Sequence, residues 1–404
     1  MMLFTVLGAV ADVDRIVRCV AETERACARQ LGAQLKPTLA ATVGRVAAPL
    51  LPFVASEEGA AIFAKLLEVN RKWLPDVAAE IEGYAEGAGI DAKHAFVAAM
   101  SIELHWFARR ARFAVHDTVV PKKCSDYHSL DERGALRAWV HNEDGDRIDV
   151  NQSYLIDARV TGTASAADGG AATGGGASHR VAFVYAHDLV GGWAWSMNAH
   201  GMAQSVNALN PLNLTIGVAD ALLARHVAGA ASLDEAAHRA CALPLAGGQH
   251  FNLGSIREPH RQLMIEASNV GCDLRTLLAP RLPGGLEVGY HANLYESKAL
   301  KGLDGGAKAL DAPSSLHRMA RMAALPPATT SAALEAVVSD THDPTYPIHR
   351  NGTPPDLYMT LNTANFDVAA RRVAVWGQTS PVASRGRPSL TIDWSTLRIA
   401  RSPR

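Results

Sequence analysis

The sequence predicts an α+β fold, with helices and strands arriving in blocks rather than in alternation. Up to about residue 115, apolar residues recur every three or four positions, the spacing of amphipathic helices. Beyond Cys124 the chain turns to short apolar-aromatic runs separated by turn residues, the pattern of strands. Helical periodicity then returns, and strands follow again. The order helices, strands, helices, strands favours α+β, or a layered αββα arrangement, over a doubly wound parallel sheet.

Taken along the chain, "DVDRIVRCVAETERACARQL" (12–31) and "AAIFAKLLEVNRKW" (60–73) carry helical spacing, and Pro49 and Pro52 mark a break between them. "WLPDVAAEIEGYAEGAGIDAKHAFVAAMSIEL" reads as a helix closed by Gly87-Ala88-Gly89, then a second helix starting after Asp91. "ALRAWVHNED", "QSYLIDARV", "RVAFVYAHDL" and "GWAWSMNAHGMAQSVNAL" read as strands. The low-complexity insert 161–178 reads as a mobile hairpin loop, because strand-like sequence flanks it on both sides. "IGVADALLARHVAGAASLDEAAHRACAL" predicts two helices, with Ser232 capping the second. "HFNLGSI" and "HRQLMIEAS" predict a hairpin, "SSLHRMARMAAL" and "TSAALEAVVSD" helices, and "LYMTLNTANFDVAARRVAVWGQ" two strands around a turn.

At 404 residues, 48% hydrophobic and 20% charged, the chain has ample material for a globular core. A formal net charge of −1 leaves no electrostatic footprint for nucleic acid or an anionic membrane. No apolar run approaches the roughly 20 residues of a membrane span. The opening "MMLFTVLGAVA" lacks a basic flank and reads as structure, with a secretory signal as second choice, so a cytoplasmic setting is expected. The five cysteines are odd in number and contain no Cys-x-x-Cys. That pattern predicts neither a disulfide framework nor a thiolate metal site, and a reducing compartment. Sixteen histidines are scattered without a His-Glu-x-x-His, so neither a metal nor a cofactor is predicted.

One stretch stands out, "VVPKKCSDYHSLDERGALRAWVHNEDGD" (119–146), where Cys124 opens a strand whose return strand ends in His141-Asn142-Glu143-Asp144. From composition alone Cys124 is a packed core thiol and "HNED" a solvated strand end. Further words change that reading: "EIEGYAEGAGI" (80–90), "MNAHGMAQSVNAL" (197–209), "YHANLYES" (290–297), "SSLHRMARM" (314–322), "PIHR" (347–350) and "LNTANFDVAARRVAVWGQ" (361–378). In this order the chain resembles the penicillin acyltransferase family, which includes isopenicillin-N acyltransferase and the β-alanyl-dopamine and carcinine hydrolases, of the N-terminal nucleophile type. The resemblance spans about residues 75 to 380.

It implies a four-layer αββα sandwich with a helical N-terminal segment, cut between Lys123 and Cys124. Residues 1–123 would then be a mostly helical subunit that stays packed on a catalytic subunit, 124–404, as a heterodimer. Cys124 would attack an acyl carbonyl, and its new α-amine, with a pKa of roughly 7.7–8.0, would shuttle the proton. By the same resemblance Asn207 is the candidate oxyanion donor, with Asn198 and Asn210 as neighbouring alternatives. Asp144 would position substrate and support self-cleavage, with Asn142 and His141 beside it, and Arg318 would contact substrate. The substrates implied are small N-acyl amines or N-acyl amino acids, with an acyl-CoA as a further candidate donor.

Departures are visible too. Lys123 stands where the family usually has glycine, the second histidine of "HTNH" is Leu294, and His317 replaces a serine. A catalytically silent relative acting as a binding or scaffold protein is the alternative. A metal-dependent hydrolase built from the scattered histidines ranks third.

Overall fold

The structure, a computed structural model, describes residues 15–113, 123–134, 136–150, 152–162, 177–184, 188–280, 284–303, 312–377 and 386–402. Most of the Gly/Ala-rich insert lies outside these residues, and with it the expected mobile loop.

The N-terminal block opens with a correction. Instead of one helix over 12–31, β1 (Ile16–Ala21) precedes α1 (Glu24–Gln34). Val17 and Cys19 are buried while Arg18 and Val20 are exposed, a period of two, and β1 gains backbone partners by pairing in parallel with a distant strand. Helix α1 starts at Thr23, whose side chain accepts from the Ala26 N–H. The stretch α2 (Lys36–Thr42), a π turn (Val43–Ala47), a 3-10 turn (Ala48–Leu50) and α3 (Leu51–Ala55) follows. Pro37, Pro49 and Pro52 each fall in the first turn of a new piece, so they restart the helix where the sequence predicts a break. By length and composition alone the run Lys36–Ala55 could cross a membrane, but Leu39, Val46, Leu50 and Phe53 bury its apolar side in the core.

Next come α4 (Glu57–Trp73), α5 (Pro75–Ala88), α6 (Ala92–Ala99) and α7 (Ser101–Arg110). Gly89 closes α5 at φ +68°, a left-handed turn that glycine adopts without strain, and Asp91 caps α6.

The rest of the chain supplies β2 (Lys123–Asp131), β3 (Arg137–Gly145), β4 (Tyr154–Val160), β5 (Ser178–Val184), β6 (Trp195–Asn198) and β7 (Met202–Leu209). Then follow α8 (Asp220–Val227), α9 (Leu233–Cys241), β8 (Gly248–Ser255), β9 (Arg261–Ser268), β10 (Gly271–Leu278) and β11 (Leu286–His291). The last elements are α10 (Ala312–Ala324), α11 (Ser331–Val338), β12 (Met359–Asp367), β13 (Arg372–Gly377), β14 (Leu390–Asp393) and β15 (Ile399–Arg401). Strands β10, β11, β14 and β15 are additions to the sequence reading.

Two sheets result, ordered β1-β4-β5-β6-β7-β8-β9-β10 and β11-β2-β3-β12-β13-β14-β15. Among the described strand pairs, β1–β4 alone is parallel. An apolar cluster that includes Leu31, Ile81, Tyr84, Leu222 and Leu233 joins the outer face of the first sheet to α1, α5, α8 and α9. A second joins β2 and β3 to α10 and α11 through Tyr127, Val140, Met322 and Leu334. Between the sheets, Trp139, Phe183, Trp195, Phe366 and Trp394 interlock, with Trp139 and Phe366 stacked at 4.5 Å. This is a four-layer αββα sandwich. The sheets approach closely at Gly254, where a Cβ would stand 2.4 Å from the Trp139 ring.

The cysteines give a second correction. Cys19–Cys27 and Cys241–Cys272 form disulfides, with Cα atoms 5.3 and 5.5 Å apart. Spacings of 8 and 31 residues fit no local motif, and only folding brings these pairs together. Stable disulfides belong to oxidising compartments, so the cysteine argument for a reducing one fails. Cys124 stands outside both bridges, and it is buried.

Candidate active site

Cys124 lies near the start of β2, paired across the ladder with Glu143 on β3; Asp126 pairs with His141 and His128 with Trp139. Because side chains alternate along a strand, these positions share the face that looks toward the other sheet. Ser125, Asn142 and Tyr127 look the other way, toward α10 and α11. The word "HNED" is thereby split between two faces.

On the inter-sheet face runs a buried chain of polar contacts. The Cys124 Sγ stands 3.6 Å from Glu143 Oε2, which stands 3.1 Å from His141 Nε2. His141 Nδ1 meets Asp126 Oδ2 at 2.8 Å. Asp126 also accepts from Ser205 Oγ at 2.5 Å and Asn207 Nδ2 at 2.7 Å. Burial disfavours charge on His141, but Asp126 and Glu143 overcome it and raise its pKa to about 10. Burial likewise opposes a charged Asp126, and His141 reverses that to hold its pKa low. The imidazolium therefore sits between two carboxylates, a paired arrangement that low dielectric strengthens.

Asn207 is tied into this chain through Asp126. Its amide donates to Asp126, while its Oδ1 accepts from Asn252 at 3.0 Å and lies 3.0 and 3.1 Å from the Nδ1 atoms of His250 and His291. Those two rings stack at 3.6 Å, and burial lowers the pKa of both, that of His291 to about 4. Asn198 is committed elsewhere, donating to the Ala228 and Ala230 carbonyls after α8. Asn210 lies just past β7, half-buried.

The backbone of Cys124 is held from the other side. Its N–H donates to Asn293 Oδ1 at 2.9 Å, and its carbonyl accepts from Arg318 Nη1 at 2.5 Å. Arg318, fully buried on α10, also donates to Ser125 Oγ, Asn293 Oδ1, Ser315 Oγ and Ser314 Oγ. Burial, with repulsion from Arg350, lowers its pKa to about 10, so it stays charged at neutral pH. Asn293 adopts φ +64°, a left-handed conformation that asparagine tolerates better than most residues, and its Nδ2 donates to the Ala208 carbonyl.

Asp144 lies on the helical side of β3. It accepts from Thr360 Oγ1 at 2.7 Å and faces Arg350 Nη1 at 3.7 Å. Burial raises its pKa to about 6, against the pull of Arg350 and Arg318. Asn142 ties β3 to the segment after α11, donating to the Val338 and Ile348 carbonyls and accepting from Thr363. Its amide is thus engaged by protein on both sides. The structure brings His141 to the Cys124 side chain on the inter-sheet face, with Asn207 two contacts behind it, while Arg318 reaches the Cys124 backbone from the helical face, where Asp144 and Asn142 also lie.

Sequence reasoning missed Glu143, Asp126 and Asn293. The first two had a readable signal: polar residues at every second position of two facing strands, where a buried face calls for apolar ones. Asn293 had none, because its place depends on how β11 turns back toward β2.

A cavity of about 340 Å³ lies away from this centre, lined by Glu24, Glu80, Arg180, Asn198, Arg225 and Arg239 among others. It marks an ion-pair junction: Arg180 pairs with Glu24 and Glu80 at 2.5 Å each, and Arg225 with Glu80 at 2.8 Å.

A family model described as acyl-coenzyme A:6-aminopenicillanic acid acyl-transferase matches residues 131–380. The chain belongs to this family of acyl-transferring enzymes. The matched region contains Asn142, Asp144, Asn207 and Arg318 and begins after Cys124. Among solved structures, penicillin V acylase from Agrobacterium tumefaciens is similar at 13% identity, over 63% of this chain and 84% of that one, with a TM-score of 0.39. A mutant of conjugated bile acid hydrolase from Clostridium perfringens is similar at 11% identity, over 69% and 97%, with a TM-score of 0.37. No curated protein matches the chain.

Proposed function

We propose that the protein is a cysteine amidohydrolase or acyltransferase that cuts its own chain between Lys123 and Cys124. It would then act on small N-acyl amines or N-acyl amino acids through an acyl-cysteine. The observation that carries this reading is the environment of Cys124. The thiol sits near the start of a strand, outside both disulfides, its N–H held by Asn293 and its carbonyl by Arg318, with a carboxylate at its sulfur.

In the uncut chain the nitrogen of residue 124 is an amide and cannot serve as base. Glu143 Oε2, 3.6 Å from the sulfur, is placed to take the thiol proton, held in position by His141. The thiolate attacks the Lys123 carbonyl, and the amide N–C bond breaks as the nitrogen takes up a proton. Water then hydrolyses the resulting thioester, releasing the Lys123 carboxylate and restoring the thiol. The freed α-amine keeps Asn293 Oδ1 as its acceptor and becomes the base for substrate turnover. Each turnover forms a thioester, expels an amine and ends by transfer to water or to a second amine. An acyl-CoA donor would enter by the same thioester exchange.

On this reading residues 1–123 remain bound to 124–404 as a heterodimer, joined by the Glu24/Glu80–Arg180/Arg225 junction. The cytoplasmic setting expected from sequence carries a condition: there both cysteine pairs would stand as thiols, whereas an oxidising compartment keeps them bridged.

Denaturing mass spectra of wild type and Cys124→Ala test the proposal. Two fragments from wild type, with a break after Lys123, and one intact variant chain are expected. An uncut wild type would leave the silent-relative reading in its place.

A further inference from the structure

We propose that Cys124, His141 and Glu143 form a three-ligand site for a thiophilic divalent cation of the zinc type, and that its occupancy silences the thiol. The silencing rests on Cys124 being the nucleophile; the binding does not.

The Cys124 Sγ, His141 Nε2 and Glu143 Oε2 all lie within 4.8 Å of one another, on three buried residues. Tetrahedral zinc, with sulfur near 2.3 Å and nitrogen and oxygen near 2.0–2.2 Å, places its ligand atoms roughly 3.2–3.6 Å apart. The observed separations are 3.6 Å for sulfur to oxygen and 3.1 Å for nitrogen to oxygen. A cation could thus be received with small side-chain movements, leaving a fourth position for water.

Support behind the ligands has the form metal sites use. His141 presents Nε2 because its Nδ1 is engaged by Asp126, the carboxylate–histidine pairing that fixes tautomer and ring plane at zinc centres. Asp126 is itself fixed by Ser205 and Asn207. Binding would displace two protons, that of the thiol and the Nε2 proton of the His141 imidazolium, and the thiolate and Glu143 carboxylate would then cancel the two positive charges of the ion. A soft sulfur and an imidazole favour zinc or copper over magnesium or calcium. The metal and the thiol proton would occupy the same small space, so binding one displaces the other. A coordinated sulfur shares its negative charge with the cation and is a weaker nucleophile toward a carbonyl.

Cobalt(II) is the probe, because a sulfur-to-cobalt charge-transfer band reports thiolate ligation without any turnover. Titration of the purified protein should give one equivalent of tetrahedral cobalt with a near-ultraviolet thiolate band. Cys124→Ser should lose that band, and His141→Gln should weaken binding roughly tenfold or more. Zinc should displace the cobalt and slow alkylation of Cys124 by iodoacetamide, with chelator restoring it. A wild type without the band, or a band that survives Cys124→Ser, overturns the site. The Cys124→Ser comparison is decisive even if His141→Gln fails to fold. Unchanged alkylation in saturating zinc overturns the silencing. Self-cleavage is read separately by mass, so a cut chain without cobalt binding sinks this proposal alone, and an uncut chain with the band sinks the other.

Discussion

Asn293 offers one oxygen to the two groups that fix Cys124, its own N–H and the Arg318 guanidinium. Losing a buried hydrogen bond to a charged or reacting group costs about 1.5–3 kcal/mol. Asn293→Ala is therefore expected to slow self-cleavage by roughly 10- to 150-fold, measured as fragment accumulation against time. A rate equal to wild type would remove Asn293 from the machinery. Arg318→Lys should behave similarly, since an ammonium cannot reach the Cys124 carbonyl, Ser125, Asn293 and Ser315 together. The sequence made Cys124 and Arg318 visible because the resemblance attached to words that contain them. It could not reveal that adjacent letters of "HNED" serve opposite faces, since that depends on which neighbour each face meets. Nor could it show Asn207 turned toward Asp126, because that contact spans two sheets.

Helices α7 and α8 meet through a buried carboxyl pair. Glu103 accepts from the Asp220 N–H at 2.9 Å, and burial raises its pKa to about 7, with Asp220 raised as well by burial and by Glu103. A carboxyl whose folded pKa lies above its unfolded value stabilises the fold fully below the unfolded value, near 4.5, and loses that contribution as pH rises through about 7. Glu103→Gln keeps an acceptor but cannot ionise. Its stability curve should therefore flatten between pH 5 and 8.5 by the share Glu103 contributes, a gain on the order of 3 kcal/mol at the upper end, with the burial of Asp220 keeping the remaining slope, read by urea melts at each pH. The ion-pair junction makes a second demand on these layers. Glu80→Ala leaves Arg180 and Arg225 to share Glu24 alone, expected to cost about 1–3 kcal/mol and to loosen the helical layer, seen as fragment dissociation in native mass spectra of cut protein. At this scale the sequence was most readable where local signals are strong: Gly89, Asp91 and Ser232 mark helix ends where expected. It failed at β1, whose strand state comes from pairing with β4 more than a hundred residues away. It failed again at β10, whose mostly exposed face carries little apolar alternation.

The two sheets are spaced by aromatic side chains and by one missing side chain. Gly254→Ala would drive a methyl into the Trp139 ring, and overpacking of this kind costs about 1–3 kcal/mol, measurable as a lowered Tm with the same sheet content by circular dichroism. Thiol labelling of the unfolded, unreduced chain should count one reactive cysteine, against five after reduction, if both bridges form as the structure has them. Five labelled sites without reductant would place both pairs as thiols. The parallel edge strand β1 has a further consequence if the chain is cut as proposed. The first sheet then draws its strands from two molecules, β1 from one and β4 onward from the other. Before the cut, closing that sheet is a first-order event within one chain; afterwards it requires an encounter. The uncut protein should refold at a rate independent of concentration, while denatured fragments should regain structure faster as they are concentrated. Cutting would turn a reversible fold into one with a memory of how it was made.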